Sequence, residues 1–524
     1  MHSLRSWWTA CTFRIEMTQR SPAAIVGALF LAVAVLGVGM PAAANGRFPR
    51  AQRLIEDPGN SARLILSATY GLLVTTDRGA SWQYVCEAAY GVADLPLDAR
   101  VAVTAEGALL AGIYSGVARA QQSPCNFERT LGFGKQEAVP DFTLAASDPG
   151  RVVAIHVSLP SEGTPSSQLF SSEDDGRSWR KLGAPLPEVM RTPLTVDVAP
   201  SDAERLYVSG LGVDGAGVML RSEDGGESFD VFRIPTNATD QEFPYIAAVD
   251  PENPDQVYVR TDVWSYDPEE QLTRANDALL FSDDGGASFR ELLRAGGKLF
   301  GFAFSPDSSE LLVGYGDPIQ FSVTRVIDQA ALGIYRAPKG SSSFEMRYAG
   351  PVGCLTWTGE GVYACTMEAD TGFSLGLIRD TDFDLASPAS FEPLVRLRDV
   401  AGPIECETCA PGDMCRDYWK ATCNSWGRED CLELTASECS NEAGAAGAPT
   451  AGNATGGVGP VPGASGGLQN AADVARARGG CACRVRARDS SAQSIVAAIG
   501  LAAVARIRRR GARVTIHRRR REPS

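Results

Sequence analysis

Three observations predict an all-β chain of seven four-stranded units, a seven-bladed β-propeller, with six blades as the alternative. Four short turns share a single frame, aromatic residues recur every 45 to 60 positions, and two further strand-like runs precede each aromatic. The turns are "TTDRGASW" (75–82), "SSEDDGRSW" (171–179), "RSEDGGESF" (221–229) and "FSDDGGASF" (281–289). Aligned, they read Ser/Thr-x-Asp-x-Gly-x-Ser-Trp/Phe. Asp suits such a turn because its carboxylate accepts backbone N–H bonds, and Gly supplies a positive φ that a side chain resists. Each turn follows an apolar β-forming run ("GLLVT", "QLFSS", "GVMLRS", "ALLFS") and ends on an aromatic that opens the next strand and packs inward. The pattern is that of a hairpin.

Eroded copies fill the gaps. "GVARAQQSPCNFERT" keeps Arg119 and Phe127 in the frame of Arg221 and Phe229, "GIYRAPKGSSSFEMRY" keeps Arg336 and Phe344, and a looser version ends at Phe391. The markers are then Trp82, Phe127, Trp179, Phe229, Phe289, Phe344 and Phe391. Upstream of them, "FTLAASDPGRVVAIHV", "LTVDVAPSDAERLYVSG", "YIAAVDPENPDQVYVRT" and "FAFSPDSSELLVGYG" each read as two strands joined by a turn, and three other segments fit more loosely. So regular a period argues against a β-sandwich.

Composition places the chain and excludes some partners. Hydrophobic residues at 44% and charged residues at 21% suit a globular protein of 524 residues. Residues 484–524 hold twelve Arg against Asp489 and Glu522, and residues 1–44 hold three Arg against Glu16. The formal charge of −14 therefore leaves −26 for the body, which excludes nucleic-acid binding through counterion release. Arg20, the apolar run Ala23 to Val38 and the small residues Ala42-Ala43-Ala44 read as a signal peptide over 1–44, with Met17 the better start. Without Cys11, twelve cysteines remain, an even number that fits an oxidising compartment.

The four turns resemble the Asp-box (BNR) repeat of sialidases, sortilin-type receptors and several non-enzymatic propellers. The resemblance implies that each box joins the third and fourth strands of a blade. Asp77, Gly79, Trp82, Asp174, Gly176, Trp179, Asp224, Gly226, Phe229, Asp284, Gly286 and Phe289 are then structural staples. It also implies that ligand meets the opposite face, made of second-to-third-strand loops and blade connections. The longest such loop, 261–279, carries Trp264, Tyr266, Asp267, Glu269, Glu270 and Arg274, aromatics beside charges that suit a sugar or a cationic ligand. A second, 316–331, is "GDPIQFSVTRVIDQAA".

An enzyme reading rests on less. Sialidases carry a Phe/Tyr-Arg-Ile-Pro motif whose Arg grips the substrate carboxylate. Here "FRIP" (Phe232 to Pro235) follows the third intact box instead of preceding the first, which puts it on an outer strand, and no catalytic set is assigned. Glycoside hydrolysis needs only two carboxylates, so it stays as the alternative. His156 is the one histidine in the body, which disfavours His-based nucleophilic or zinc chemistry. The reading is non-enzymatic binding of a glycan, protein or other envelope ligand, with no cofactor, no metal and no nucleic acid.

A propeller over 45–400 leaves a Cys-rich module at 401–440, with Cys406, Cys409, Cys415, Cys423, Cys431 and Cys439. Disulfides must staple so short a segment, and the fifteen pairings of six cysteines stay open. Cys354 and Cys365 bracket a tight hairpin and suit a cross-strand bond; Cys86 and Cys125 suit a bond between adjacent blades. Residues 441–480 are a Gly/Ala/Pro/Ser-rich linker. The tail, 481–524, joins a Gly-Cys-x-Cys, a short apolar run and an Arg cluster, and resembles the MYXO-CTERM sorting signal of myxobacteria. The resemblance implies a sorting protease, processing near Cys481 as the lipid-bearing residue, and display at the outer surface. Departures are the short apolar run Ile495 to Val504 and the extension after Arg510.

Overall fold

The computed structural model describes residues 50–431, apart from 92–97, 114, 135–136, 159–165, 238–241, 264, 268–271, 318–324, 380–389, 408–409 and 429–430. The expected leader, linker and sorting tail with Cys481, and also Cys409 and Cys439, lie outside the described residues.

Seven antiparallel sheets, each of four strands taken in chain order, form the blades: residues 51–86, 100–132, 142–182, 190–234, 242–295, 298–349 and 354–395. Seven, not six, is therefore the count. In every blade the strand order follows the chain, and first strands of neighbouring blades pack together, those of blades 1 and 7 included, while the first strand of blade 6 packs on the second and third strands of blade 5. The first strands thus surround the axis and the fourth strands form the rim.

Period-two alternation builds the core between blades. In the second strand of blade 4, Leu206 and Val208 face blade 3 and pack with Val153, Ile155 and Leu169. Tyr207, between them, faces blade 5 and packs with Val257 and Val259. Blade 5 repeats the arrangement, with Tyr258 packing against Leu311 and Val313 of blade 6. Because both faces of the middle strands are covered, these strands read as unbroken apolar runs such as "GLLVT".

All four intact turns join the third and fourth strands of a blade and share one hydrogen-bond pattern. Ser222 Oγ accepts from Gly226 N at 2.8 Å and donates to Asp224 Oδ1 at 2.7 Å, and Asp224 accepts from Ser228 N at 2.9 Å. Thr75, Ser172 and Ser282 repeat it around Asp77, Asp174 and Asp284. Gly226 has φ +103°, and a Cβ there would stand 2.8 Å from Leu182 of blade 3. The position requires Gly both for its backbone and for blade packing.

A second set of bonds crosses from blade to blade on this face. Arg63 donates to Gly107 O and Gln122 O at 2.7 and 2.8 Å, Arg119 to Asp175 O at 2.8 Å, Arg151 to Gly225 O at 2.7 Å, and Arg290 to Gly340 O at 2.5 Å. Each arginine holds carbonyls of the next blade's turn region.

The segment after blade 7 closes the ring from outside. Gly402–Pro403 pairs in parallel with Gln83 and Tyr84 on the outer strand of blade 1. The helix Cys415–Ser425 and Trp426 then cover that edge, with Trp419 tilted against Tyr84 at 6.0 Å and Trp426 edge-on to it at 5.8 Å. Cys86 and Cys125 do not bond each other: Cys86 bonds Cys415, and Cys125 bonds Cys406. An outer strand and a docked helix bring the later cysteines to blades 1 and 2, a placement that spacing in the chain does not reveal. Cys423 bonds Cys431, and Cys354 bonds Cys365 directly across its hairpin.

Candidate functional site

First strands run from the face opposite the turns toward the turn face, so their early residues ring the mouth of the axial channel. Side chains there come from strands that alternate apolar residues, packed between blades, with polar ones turned to the axis. In "LTVDVA" of blade 4, Val196 and Val198 are buried while Thr195 and Asp197 keep some exposure. Bulges also re-aim residues at the mouth, at Gln52 of blade 1 and Phe300 of blade 6.

Four blades meet at one charged cluster. Arg53 comes from blade 1, Arg100 from blade 2, Asp141 and Thr143 from blade 3, and Asp197 from blade 4. Arg100 Nε lies 3.2 Å from Asp141 Oδ1, and Asp141 Oδ2 accepts from Val196 N at 3.1 Å. Thr143 Oγ1 donates to Asp197 Oδ1 at 2.9 Å. Burial pushes the Asp197 carboxyl up to about 6, against the opposing Thr143 bond and the Arg100 charge. Burial also raises Asp141, and Arg100 holds it back. Arg53 is pushed down to about 9, first by the charge of Arg100 and then by burial. It nonetheless keeps exposed surface. Next to it, Arg50 stacks on the exposed ring of Phe300 at 3.9 Å and donates to Asp317 O.

A second polar group sits across blades 5 and 6. Lys298 contacts Asp262 and lies 3.3 Å from Asp277, whose carboxylate also accepts from Val263 N and Leu299 N. Burial raises the Asp277 carboxyl against the opposing Lys298 charge. Arg260 lies over the Tyr245 ring at 4.6 Å.

The two loops expected at the ligand face come together through their backbones. Ser265–Asp267 pairs with Leu272–Arg274, and that strand pairs in parallel with Arg325–Val326 from the second loop. Tyr266, Asp267 and Arg274 therefore lie in this small sheet; Trp264, Glu269 and Glu270 lie outside the described residues. "FRIP" falls on the outermost strand of blade 4, Asp230–Ile234, where Arg233 pairs with exposed Asp214 and stays remote from the axis. His156 Nε2 meets Glu137 Oε1 at 3.3 Å and packs on Phe133; burial lowers it. Among the described residues, no group of three or more His, Cys, Asp and Glu could hold a metal ion. No helix among them is long and apolar enough to cross a membrane.

Reading the sequence for long loops missed Arg53, Arg100, Asp141 and Asp197. The signal was weak: charged residues in or just before first strands, such as Arg53 in "AQRLIED" and Asp197 in "MRTPLTVDVA", among other polar residues.

No family model matches the chain, and no curated protein does. Solved propeller structures match its fold. An ancestral GH74 enzyme is 14% identical, with a TM-score of 0.42, over 58% of this chain and 39% of its own. The chain thus spans about two-fifths of that enzyme's length. An oligogalacturonate lyase from Vibrio parahaemolyticus is 10% identical, with a TM-score of 0.39, over 62% of this chain and 88% of its own. The GH93 α-L-arabinofuranosidase of Fusarium graminearum is 12% identical, with a TM-score of 0.33, over 51% and 86%. At these identities the likeness concerns the fold alone.

Proposed function

We propose that the chain is an exported propeller, displayed at the bacterial cell surface on its linker, that binds a glycan or another envelope ligand without turning it over. The observation that carries this reading is the cluster of Arg53, Arg100, Asp141, Thr143 and Asp197. Polar groups from the inner strands of four blades converge there about the axis. The turns themselves spend their polar atoms on their own backbone, which suits a structural role. The tail that resembles a sorting signal, and the disulfides that tie the C-terminal segment to blades 1 and 2, fit an exported protein.

Hydrolysis of a glycoside is the second reading, and one observation favours it. Asp141 and Asp197 belong to one bonded cluster with different partners, a guanidinium for one and a hydroxyl for the other. Two carboxyls in unlike surroundings can serve as base and acid. A glycan array probed with the exported chain, with released reducing sugar measured in parallel, separates the two. Retention without release supports binding, and release lost in Asp141→Asn supports hydrolysis. An array on which the chain retains and cleaves nothing contradicts both.

A further inference from the structure

We propose that Lys298 and Asp262 condense in the folded chain to a side-chain amide, an isopeptide bond that ties blade 5 to blade 6, with Asp277 moving the proton. Such a bond forms whatever the chain binds.

The fold brings the three side chains to one point. Asp262 lies near the end of the second strand of blade 5, Asp277 opens the third, and Lys298 opens the first strand of blade 6. Lys298 Nζ contacts Asp262 Oδ1, lies 3.3 Å from Asp277 Oδ1 and donates to Val263 O at 2.8 Å. The Lys298 and Asp277 side chains are 5% and 1% exposed, while Asp262 keeps 23%, a way out for water. Their chain neighbours Val263, Ala278 and Leu299 are buried and apolar. One ammonium between two carboxyls leaves an excess negative charge in the trio, which is costly away from water. Burial accordingly raises the Asp277 carboxyl, against the opposing Lys298 charge. An amide in place of the ion pair removes two buried charges.

The step needs no oxidant and no cofactor. A proton first shifts from Nζ to the Asp262 carboxylate, a transfer to neutral groups that burial favours. The neutral amine keeps two N–H groups, directed at Val263 O and Asp277 Oδ1, and its lone pair faces Asp262. The Nζ–Cγ bond forms while the carbonyl pair moves onto oxygen, and Asp277 takes the proton the nitrogen sheds. That proton goes on to the Asp262 hydroxyl, the Cγ–O bond breaks, and water leaves. Amine and acid have become an amide and one water. Asp277 is held for this relay, since its two oxygens accept from Val263 N at 2.9 Å and Leu299 N at 3.0 Å. A raised carboxyl is also the stronger base. Fixed contact between amine and acid replaces a chance encounter in water. The position suits a staple: disulfides reach blades 1, 2 and 7, and residues 126–353 contain no cysteine.

The measurement is a tryptic map of the chain, purified folded and then reduced. The bond joins residues 261–274 to 295–325, blocks cleavage after Lys298, and makes the joined pair lighter by one water than its two parts. That species is the expected result. Asp277→Ser retains Lys298 and Asp262 and should yield them unlinked, as should Lys298→Arg, with a cooperative melt showing that each variant is folded. Residues 261–274 and 295–298 recovered separately from the folded wild type overturn the proposal, whatever the variants do. So does a join of 295–325 to 275–290, which carries Asp277, or a water lost from 261–274 alone, the mark of a cyclic imide. A join that persists in Asp277→Ser overturns it as well.

Discussion

At the scale of single residues, the same chemistry does opposite things on the two faces. In the repeated turns, the Ser81 and Ser228 hydroxyls, each joined by a second one, hold Asp77 and Asp224 down to about 2. An unfolded Asp titrates near 4, so these carboxylates favour the folded state above about pH 4, and that contribution is lost as pH falls toward 2. Asp77→Asn and Asp224→Asn should flatten the fall in melting temperature between pH 4 and pH 2; a fall as steep as in the wild type refutes the assignment. Asp197 is the reverse case. Its folded value, about 6, lies above the unfolded one, so ionising it in place costs stability above pH 6 and costs nothing below about pH 4. Asp197→Asn should therefore melt higher than the wild type at pH 8 and about equal to it at pH 4, as calorimetry would show. Arg119 tests the cross-blade links. Arg119→Met strands the Asp175 carbonyl and should cost about 1–3 kcal/mol in urea denaturation, with ligand binding unchanged.

At the scale of the element, legibility followed what is periodic. Trp82, Trp179, Phe229 and Phe289 each open a fourth strand because one hairpin recurs in one frame, and any such recurrence is visible in a sequence. The eroded copies at Phe127, Phe344 and Phe391 keep the aromatic without the Asp and Gly, so the seventh blade is marked in the sequence by little besides Phe391, while its sheet, 354–395, is complete. The site was less legible. Arg53, Arg100, Asp141 and Asp197 are scattered over about 145 positions, each alone on its strand, and only closure of the ring brings them together. The disulfides divide along the same line. Cys354 and Cys365 face each other across a hairpin and could be paired by eye, whereas Cys86 with Cys415 spans 329 positions. For the local bond, Cys354→Ser with Cys365→Ser should cost about 2–3 kcal/mol in the same urea assay, the entropy of a short loop.

At the scale of the whole molecule, the chain closes its ring from the rim. Blade 1 is complete in residues 51–86, and the C-terminal segment adds a fifth strand, a helix and two long-range disulfides outside it. That cover also shields the free edge of blade 1, and an uncovered edge invites pairing between copies. A chain ending at residue 400 should associate as concentration rises, seen as a shift to larger species in size-exclusion chromatography. A monomer at every concentration would show that the cover is dispensable. On the proposed reading, the closed ring leaves the axial channel as the working surface and the repeated turns as scaffold. The most direct test is a deuterium-exchange footprint of the ligand selected on the array, bound to the chain. Protection over 50–54, 99–103 and 141–144, with none over 75–82, 172–179, 222–229 and 282–289, is the predicted result. Protection confined to those turns would contradict it.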